Sequence, residues 1–558
     1  FDNPSYSLTD IIGLINKKHL NKNDDLYIFG NGLGSTNVVK NSNIIIDWNT
    51  HINHKNIKSI EYKKKIIQSN NINNNDEKKQ DNNDASNNDS TNESKGNNDN
   101  NDDDLNGNNN DEILESTVGQ LKSLKLKVTT GFMEEKAAAV HALTSIIKNA
   151  SFGMLQYMEE CWERLIVLWE YPHPLVKMAV STCFHQFFIL VINHTLKNDA
   201  NAIKNDIDGD SDKKFNYDVG QTNIKYNNNI LQWINNVFPM YIQSIRDEED
   251  KDALNIILDY FIRELIVLGP SSITMHMDEL IKSINLYLKE QTQCQSNQDT
   301  YNEDTKDITS KHKSVSDTIA ELIATLAELW GVKFIPIFSK LFNNLLVFAK
   351  PTRHKHDQAM VVGCIADVCS RLNSLKTINK NNNKIKDIMS PFSDTAYKLS
   401  LRIAQSQDVT MRQNALYCIG ALYTTCNTAS NNKHFNNCLR CVKTFVQFNK
   451  NGERGEQLIR DNAVSAFGKM IISEPNLFNE NLNNAIKIFI ESLPLTKDFT
   501  ENQYVYDVLM RMITELSNNV KPYLNNIILL LGNALNDKKV PQSTTNDLIA
   551  FFKLICKD

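Results

Sequence analysis

The sequence predicts an all-α protein built as an α-solenoid, a stack of antiparallel helix pairs. After about Glu112, apolar residues recur at intervals of three and four, which is the period of amphipathic helices. Stop signals such as Gly269-Pro270 divide this region into segments of helix length, and strand patterns are almost absent. Helices with apolar residues on the faces they share can remove them from water only by stacking on their neighbours.

Residues 113–558 are predicted to contain about eight helix pairs. First helices start about 40 to 54 residues apart, the spacing of HEAT repeats, except where polar insertions near 197–228, 291–312 and 376–386 lengthen a unit. The predicted helices are 132–148, 154–169, 174–195, 229–245, 250–268, 272–288, 314–329, 332–348, 354–373, 387–404, 408–425, 433–447, 456–472, 476–492, 501–516, 519–535 and 548–555.

One internal repeat supports the stacked arrangement. Arg412 to Ala415, followed by Gly420, matches Arg460 to Ala463, followed by Gly468, at an offset of 48 residues. Small Ala and Gly residues on one helix face let a neighbouring repeat approach closely. The Arg and Asp near the helix start are expected to bridge adjacent turns of the solenoid.

The N-terminal fifth of the chain has a different composition. Residues 1–69 are poorly defined and are interpreted as a remnant of a preceding repeat. Residues 70–112 are predicted to be a disordered insertion, because 18 of the 41 residues from 70 to 110 are Asn and 8 are Asp. Phe1 is not an initiator Met, so the chain is expected to be a fragment of a longer protein.

Composition narrows the classes of partner. The chain has 558 residues, with 60 Lys and Arg against 66 Asp and Glu, a formal charge of -6 that argues against direct nucleic-acid binding and suits basic partners. Its 10 cysteines are scattered through predicted helices, as expected in a reducing compartment. The longest uninterrupted apolar stretches fall far short of the roughly 20 residues of a membrane span, so no membrane insertion is predicted.

No motif in the sequence is specific enough to predict a catalytic, cofactor or metal site. The glycines from Gly30 to Gly34 lack the spacing of a dinucleotide fingerprint and are interpreted as a flexible loop. Cys438 and Cys441 have a spacing that could hold zinc, but two thiols three residues apart also share one buried helix face, and packing is the favoured interpretation. The chain is therefore not predicted to be an enzyme.

Two acidic groups are candidates for binding a basic ligand. On the helix predicted at 154–169, the apolar stripe leaves an acidic ridge on the opposite side, and a second acidic run precedes the helix at 250–268. A solvated helix face for the ridge, and complementation of the helix dipole for the run, are the alternatives. The candidate residues are Glu159, Glu160, Glu163 and Glu170 in the ridge, and Asp247, Glu248 and Glu249 in the run.

The segment Val128 to Ala139 resembles the one that opens the central repeats of importin-β superfamily (karyopherin-β) receptors of the importin-4 and importin-5 type. The resemblance covers about residues 113–558, and the polar insertion after Cys294-Gln295 favours the importin-4 branch. The other matching segments, in the family's order, are Asp247 to Asp252, Gln293 to Gln295, Arg412 to Ala415, Arg460 to Ala463 and Leu493 to Tyr506.

The resemblance implies the C-terminal portion of a nuclear import receptor. Such a receptor binds basic cargo, for example histones or ribosomal proteins, and crosses the nuclear pore through phenylalanine-glycine (FG) nucleoporins. It shuttles between cytoplasm and nucleus and releases cargo on Ran-GTP, whose main contacts would lie in repeats upstream of Phe1. The alternative is a HEAT-repeat scaffold subunit of a phosphatase or chromatin complex.

Overall fold

The computed structural model describes residues 111–116, 124–171, 173–198, 215–296, 314–374 and 387–555. The predictions for residues 1–69, and almost all of those for 70–112, lie outside these ranges. So do most of the predicted insertion at 291–312 and all of the one near 376–386. The chain forms two compact units, residues 1–190 and 191–558, which we describe separately.

The first unit opens with a short antiparallel sheet that the sequence prediction did not include. Strands β1 (Asp111–Ser116) and β2 (Leu124–Thr129) pair in a register that sets Leu114 opposite Leu126. The expectation that helical repeats begin at residue 113 is therefore wrong for residues 113–129. Leu124, Leu126 and Val128 alternate with polar residues, the period of a strand.

The helices of the first unit follow the predicted pairs. They are α1 (Thr130–Ala150), α2 (Met158–Trp169), which is preceded by a 3₁₀ turn, and the start of α3 (Pro174–Asn198). Phe184 of α3 packs between two tryptophans of α2, with ring centroids 4.9 Å from Trp162 and 5.7 Å from Trp169. This contact fixes α2 on α3, so that the opposite side of α2 faces solvent.

The second unit continues the repeat as predicted, with helix ends that differ by a few residues from the expected ones. Its helices are α4 (Asn228–Asp247), α5 (Lys251–Leu268), α6 (Met277–Leu288), α7 (Val315–Trp330), α8 (Ile335–Phe348), α9 (Lys355–Ser374), α10 (Ser390–Ile403), α11 (Val409–Thr425), α12 (Thr428–Val446), α13 (Arg454–Ser473), α14 (Leu482–Glu491), α15 (Asn502–Glu515), α16 (Leu524–Ala534) and α17 (Gln542–Ile555). One-turn helices at Gln293–Ser296 and Ser517–Val520 lie in the connections.

Within the second unit the helices form two layers, as an α-solenoid requires. Helices α5, α7, α9, α11, α13 and α15 pack side by side in what we call the first layer. Helices α4, α6, α8, α10 and α12 form the second layer, where Phe392 of α10 packs on Phe338 and Phe342 of α8. Within each layer, a helix makes its main contacts with the next helix of that layer, as expected of a solenoid.

Local sequence explains where the helices begin and how closely they pack. Asp250 and Asp408 cap α5 and α11 by accepting hydrogen bonds from the backbone of the first turn. Gly420 faces the backbone of Ala466 so closely that an added Cβ would lie 2.9 Å from the Ala466 Cα. The predicted role of this glycine, close approach of the next repeat, is confirmed.

Part of the predicted polar insertion at 197–228 is packed against the second unit. Tyr217 donates a hydrogen bond to the Ile266 carbonyl at 2.7 Å, and Tyr226 donates one to the Leu268 carbonyl at 2.8 Å. Gly269 follows α5 with φ +84°, and an added Cβ there would lie 2.4 Å from the Tyr217 ring. This position therefore requires glycine for its backbone angle and for the space that Tyr217 occupies.

Two segments of the described chain have the length and hydropathy of a membrane-crossing helix, which the sequence prediction overlooked. They are Pro174–Thr195 and Val315–Phe348, with mean hydropathies of 1.8 and 1.5. More than half of each apolar window is buried inside the protein. Val315–Phe348 spans two helices, α7 and α8, which are separated by a 3₁₀ turn at Gly331–Phe334.

Candidate functional site

The acidic ridge on α2 is exposed as the helical period predicts. Glu159, Glu160 and Glu163 lie on the solvent side of α2, and Glu170 follows at its C-terminus. Glu159 and Glu163 are one helical turn apart, so their carboxylates project from the same face. Leu165 and Trp169 are buried on the opposite side. The ridge therefore presents negative charge on a rigid helix.

The second predicted acidic group is only partly available to a ligand. Asp247 and Glu249 are exposed, but Glu248 is only 6% exposed. The Glu248 Oε1 atom accepts backbone hydrogen bonds from Glu249 at 3.2 Å and from Asp250 at 3.1 Å. Glu248 thus stabilises the turn between α4 and α5, and its inclusion in a cargo-binding surface was wrong. The next residue, Asp250, caps α5, so an acidic side chain lies at the positive end of the dipole of that helix.

The structure reveals a third polar site that sequence reasoning did not predict. A cavity of about 260 Å³ opens on the first layer, where α9, α11 and α13 meet the segment that leads into α15. We call it the polar pocket. Carboxylates, amides and two tyrosines line it: Asp367, Gln413, Asn414, Tyr417, Asn462, Asp498, Thr500, Glu501, Gln503 and Tyr504.

Asp498 connects three repeats at one wall of the polar pocket. Its Oδ2 accepts hydrogen bonds from the Gln413 side chain of α11 and the Asn462 side chain of α13, both at 2.7 Å. Residues 496–498 are held in place by Asp461, whose Oδ2 accepts the three backbone N–H groups at 2.6 to 3.1 Å. Gln413, Asp461 and Asn462, which belong to the two copies of the repeated motif, therefore join successive repeats.

The floor of the polar pocket already holds one ammonium group from the chain itself. The Lys469 Nζ lies 3.0 Å from the Glu501 Oε2, 3.9 Å from the centre of the Tyr504 ring and 5.3 Å from that of Tyr417. Ser465 also donates a hydrogen bond to Glu501. A carboxylate and two aromatic faces are the groups that stabilise a desolvated ammonium ion.

Asp367 of α9 also lines the polar pocket, and its surroundings disfavour the charged form of its carboxyl group. Burial raises the pKa of its carboxyl group, and the negative charges of Glu321 and Glu501 raise it further. A hydrogen bond from the Tyr417 hydroxyl, at 3.1 Å, and the charge of Arg371 oppose this rise in pKa. The three carboxylates of the pocket, Asp367, Asp498 and Glu501, outnumber its one lysine, so the pocket carries net negative charge.

The zinc alternative at Cys438 and Cys441 gains no support from the geometry. Cys438 is buried, and burial raises the pKa of its thiol to about 12 and that of Cys441 to about 11. The nearby His434 stacks on Tyr397 and directs its Nε2 to Asp394 at 3.2 Å. Within the described ranges, no group of three or more His, Cys, Asp or Glu residues is arranged to hold a metal ion.

Sequence comparison with known proteins gives distant relatives of one kind. No protein-family model matches the chain. The chain is 21% identical over 438 residues to importin-4 of Homo sapiens, covering 77% of this chain and 36% of that protein. It is 20% identical over 245 residues to the probable importin subunit beta-4 of Schizosaccharomyces pombe, covering 43% of this chain and 20% of that protein.

Solved structures of the karyopherin Kap121p have a similar fold. One, bound to the extreme C-terminus of the protein phosphatase Cdc14p, matches with a TM-score of 0.51 and 16% identity over 79% of this chain and 37% of that one. Another, bound to the SUMO protease Ulp1p, matches with a TM-score of 0.52 and 14% identity over 76% and 38%.

The two helical layers and this structural likeness define a karyopherin-type α-solenoid. In sequence, the chain is distantly similar to importin-4 and to importin subunit beta-4. The chain spans about a third of the length of importin-4 and a fifth of that of importin subunit beta-4.

Proposed function

We propose that the chain is the cargo-binding part of a nuclear import receptor that carries basic proteins such as histones or ribosomal proteins. The observation that carries this proposal is the exposed glutamate ridge of α2, displayed on an importin-type solenoid. Aligned carboxylates attract a lysine-rich or arginine-rich segment from a distance and orient it on arrival. The receptor itself needs no catalytic group for this task.

The polar pocket is a second surface that suits basic cargo. Its net negative charge favours cationic side chains. The amide groups of Gln413, Asn414 and Gln503 line the same cavity, and such groups can hydrogen-bond an extended backbone. The ridge lies in the first unit and the polar pocket in the second, so each is proposed as a separate contact surface.

The transport cycle completes the proposal. The receptor binds cargo in the cytoplasm, passes the nuclear pore through weak contacts with FG nucleoporins and releases cargo when Ran-GTP binds. A repeat array distributes strain over many small rotations, so two ligands that favour different curvatures oppose each other's binding. This coupling is reciprocal, which means that cargo also weakens the binding of Ran-GTP.

The experiment is capture of core histones on the immobilised protein at low and at physiological salt. Binding should weaken steeply with salt, because exposed charges are screened beyond about 8–10 Å. The double substitution Glu159→Lys and Glu163→Lys should weaken capture about tenfold or more. Glu134→Lys with Glu135→Lys makes the same charge change on the exposed side of α1 and serves as the matched control.

Unchanged capture by the Glu159 and Glu163 variant would remove the ridge from the cargo site. A parallel test with immobilised FG repeats separates the receptor from a scaffold of the same fold. A scaffold subunit of a phosphatase or chromatin complex has no need to bind FG repeats, whereas a receptor does.

A further inference from the structure

A groove between α6 and α8, in the second layer, is a cavity of the described chain that the proposed function leaves unexplained. The two helices are neighbours in that layer, and the groove between them has a volume of about 480 Å³. Its lining runs along α6 from Met277 to Lys289, as expected of a surface that receives an extended chain and not a small enclosed ligand.

The floor of the groove is aliphatic. Met277, Ile281 and Leu286 of α6 and Ile337 of α8 line it, and the last three are half-buried. One apolar side chain of a ligand would complete the burial of these residues. Removal of apolar surface from water stabilises the bound state. The floor therefore favours a ligand that contributes an aromatic or long aliphatic side chain.

The rim of the groove is basic, in contrast to the chain as a whole. Lys282, Lys289 and Lys340 line it against one acidic residue, Asp278. Lys282 lies 3.8 Å from Glu279 of its own helix. Lys289 and Lys340 are exposed and form no ion pair with any residue that the structure describes. The rim thus has cationic groups available for a negatively charged ligand.

Two asparagines join the walls of the groove and leave hydrogen-bonding capacity facing it. The Asn344 Nδ2 donates to the Asn285 Oδ1 at 2.9 Å, across α8 and α6. This bond uses one of two amide hydrogens of Asn344 and one acceptor of Asn285, so each side chain retains donors and acceptors. Both residues line the groove. An extended peptide offers the matching N–H and C=O groups at regular intervals.

We propose that this groove binds a short acidic segment of a partner protein, anchored by one aromatic or long aliphatic side chain. The anchor fills the aliphatic floor, the asparagine pair holds the backbone and the lysines contact the flanking aspartates or glutamates. A nucleic acid fits less well, because the groove lining contains no aromatic ring on which bases could stack. This partner is opposite in charge to the basic cargo proposed above.

The test is fluorescence anisotropy with the full chain and a labelled peptide, Gly-Asp-Glu-Phe-Asp-Asp-Gly. We expect saturable binding that weakens as salt rises and that is lost when the Phe is replaced by Ala. The double substitution Lys289→Glu and Lys340→Glu should weaken it about tenfold or more, since two attractions become repulsions. Lys538→Glu with Lys553→Glu, at exposed sites elsewhere in the second unit, should change it less than about twofold.

Three results would overturn the proposal. The first is no binding of the acidic peptide at millimolar concentration. The second is binding that is equal in the Lys289 and Lys340 variant and the parent protein. The third is stronger binding of a neutral peptide with the same Phe, or of a single-stranded oligonucleotide, which would assign the groove to another kind of ligand.

Discussion

The segment 496–498 depends on a single buried carboxylate, and Asp461→Ala is the substitution that exposes this dependence. Asp461 is 0% exposed and accepts the backbone N–H groups of Thr496, Lys497 and Asp498, with a further hydrogen bond from the Thr496 hydroxyl. Alanine removes every acceptor at once. It also leaves the buried Arg460 without its carboxylate neighbour at 3.4 Å.

The magnitude follows from the number of donors left behind. An unsatisfied buried donor costs about 1–3 kcal/mol. Because residues 496–498 are partly exposed, water can reach them, and the lower end applies to each of the three N–H groups. Local opening of the segment should therefore become easier by about 3 kcal/mol, or roughly 100-fold in its equilibrium constant. Asp461→Asn keeps one acceptor oxygen and should have a smaller effect.

Hydrogen exchange measured by mass spectrometry reads this opening directly, because native-state exchange reports local free energies. In Asp461→Ala, amides 496–498 should exchange about 100-fold faster, while the core of α5 keeps its protection. Asp252→Ala, which removes an exposed carboxylate from α5, is the control. Parent-like exchange at 496–498 in Asp461→Ala would refute the assignment of these hydrogen bonds.

Three further predictions concern stability. Gly468→Ala should destabilise the second unit by about 1–3 kcal/mol in chemical denaturation, because the new methyl would lie 2.5 Å from the Phe489 ring. The His356–Asp317 contact at 3.1 Å should stabilise the chain most between about pH 4 and 6.5 and by less than about 1 kcal/mol, since both groups are partly exposed. Lys136→Met should stabilise the first unit by about 2–5 kcal/mol below pH 7, because Lys136 is 0% exposed and burial lowers its pKa to about 7.

The pH limits follow from the directions of the pKa shifts. Hydrogen bonding to Asp317 raises the pKa of His356, so its contribution is complete below about pH 6.5 and disappears as pH rises through the raised value. Burial disfavours the charged form of Asp317, but hydrogen bonds from His356 and Ser314 outweigh it and lower its pKa. Its contribution is therefore present above about pH 4 and is lost in acid. The advantage of Lys136→Met should shrink from pH 7 to 10.5, as the unfolded lysine also loses its proton.

Each stability prediction has its own control and its own contradicting result. Gly532→Ala adds a methyl where nothing lies within 4 Å and should not destabilise, so equal losses in the two glycine variants would contradict the packing argument. For the histidine, the difference in melting temperature between parent and His356→Gln should shrink as pH rises through the raised pKa of His356, and a difference that is constant with pH would contradict the prediction. Lower stability of Lys136→Met at pH 6 would show that the lysine is paired in solution.

Most of the helices could be predicted because their signals are local. Apolar periodicity sets the buried face, and residues such as Asp250, Asp408 and Gly269 mark helix ends by capping or by backbone geometry. The same period correctly placed Glu159 and Glu163 on an exposed face. The strands at 111–129 were not predicted, although apolar and polar residues alternate there. The amphipathic helical period of the residues that follow was extended back over this segment.

The binding surfaces were harder to predict because they depend on which repeats stack. The burial of Glu248 depends on the turn between α4 and α5, not on its acidic neighbours. The polar pocket joins Asp367, Tyr417 and Glu501. More than 100 positions of the chain separate the first of these residues from the last. The motif that contains Gln413 and Asn462 was visible as a repeat, but the hydrogen bonds from these two side chains to Asp498 follow only from the packing of α11 and α13.

The most direct test of the central claim is capture of core histones or basic ribosomal-protein segments on the intact protein, with and without Ran-GTP. The proposed function predicts that cargo is held at physiological salt and is displaced when Ran-GTP is added. Cargo that stays bound at saturating Ran-GTP would contradict an import receptor and would favour a scaffold of the same fold.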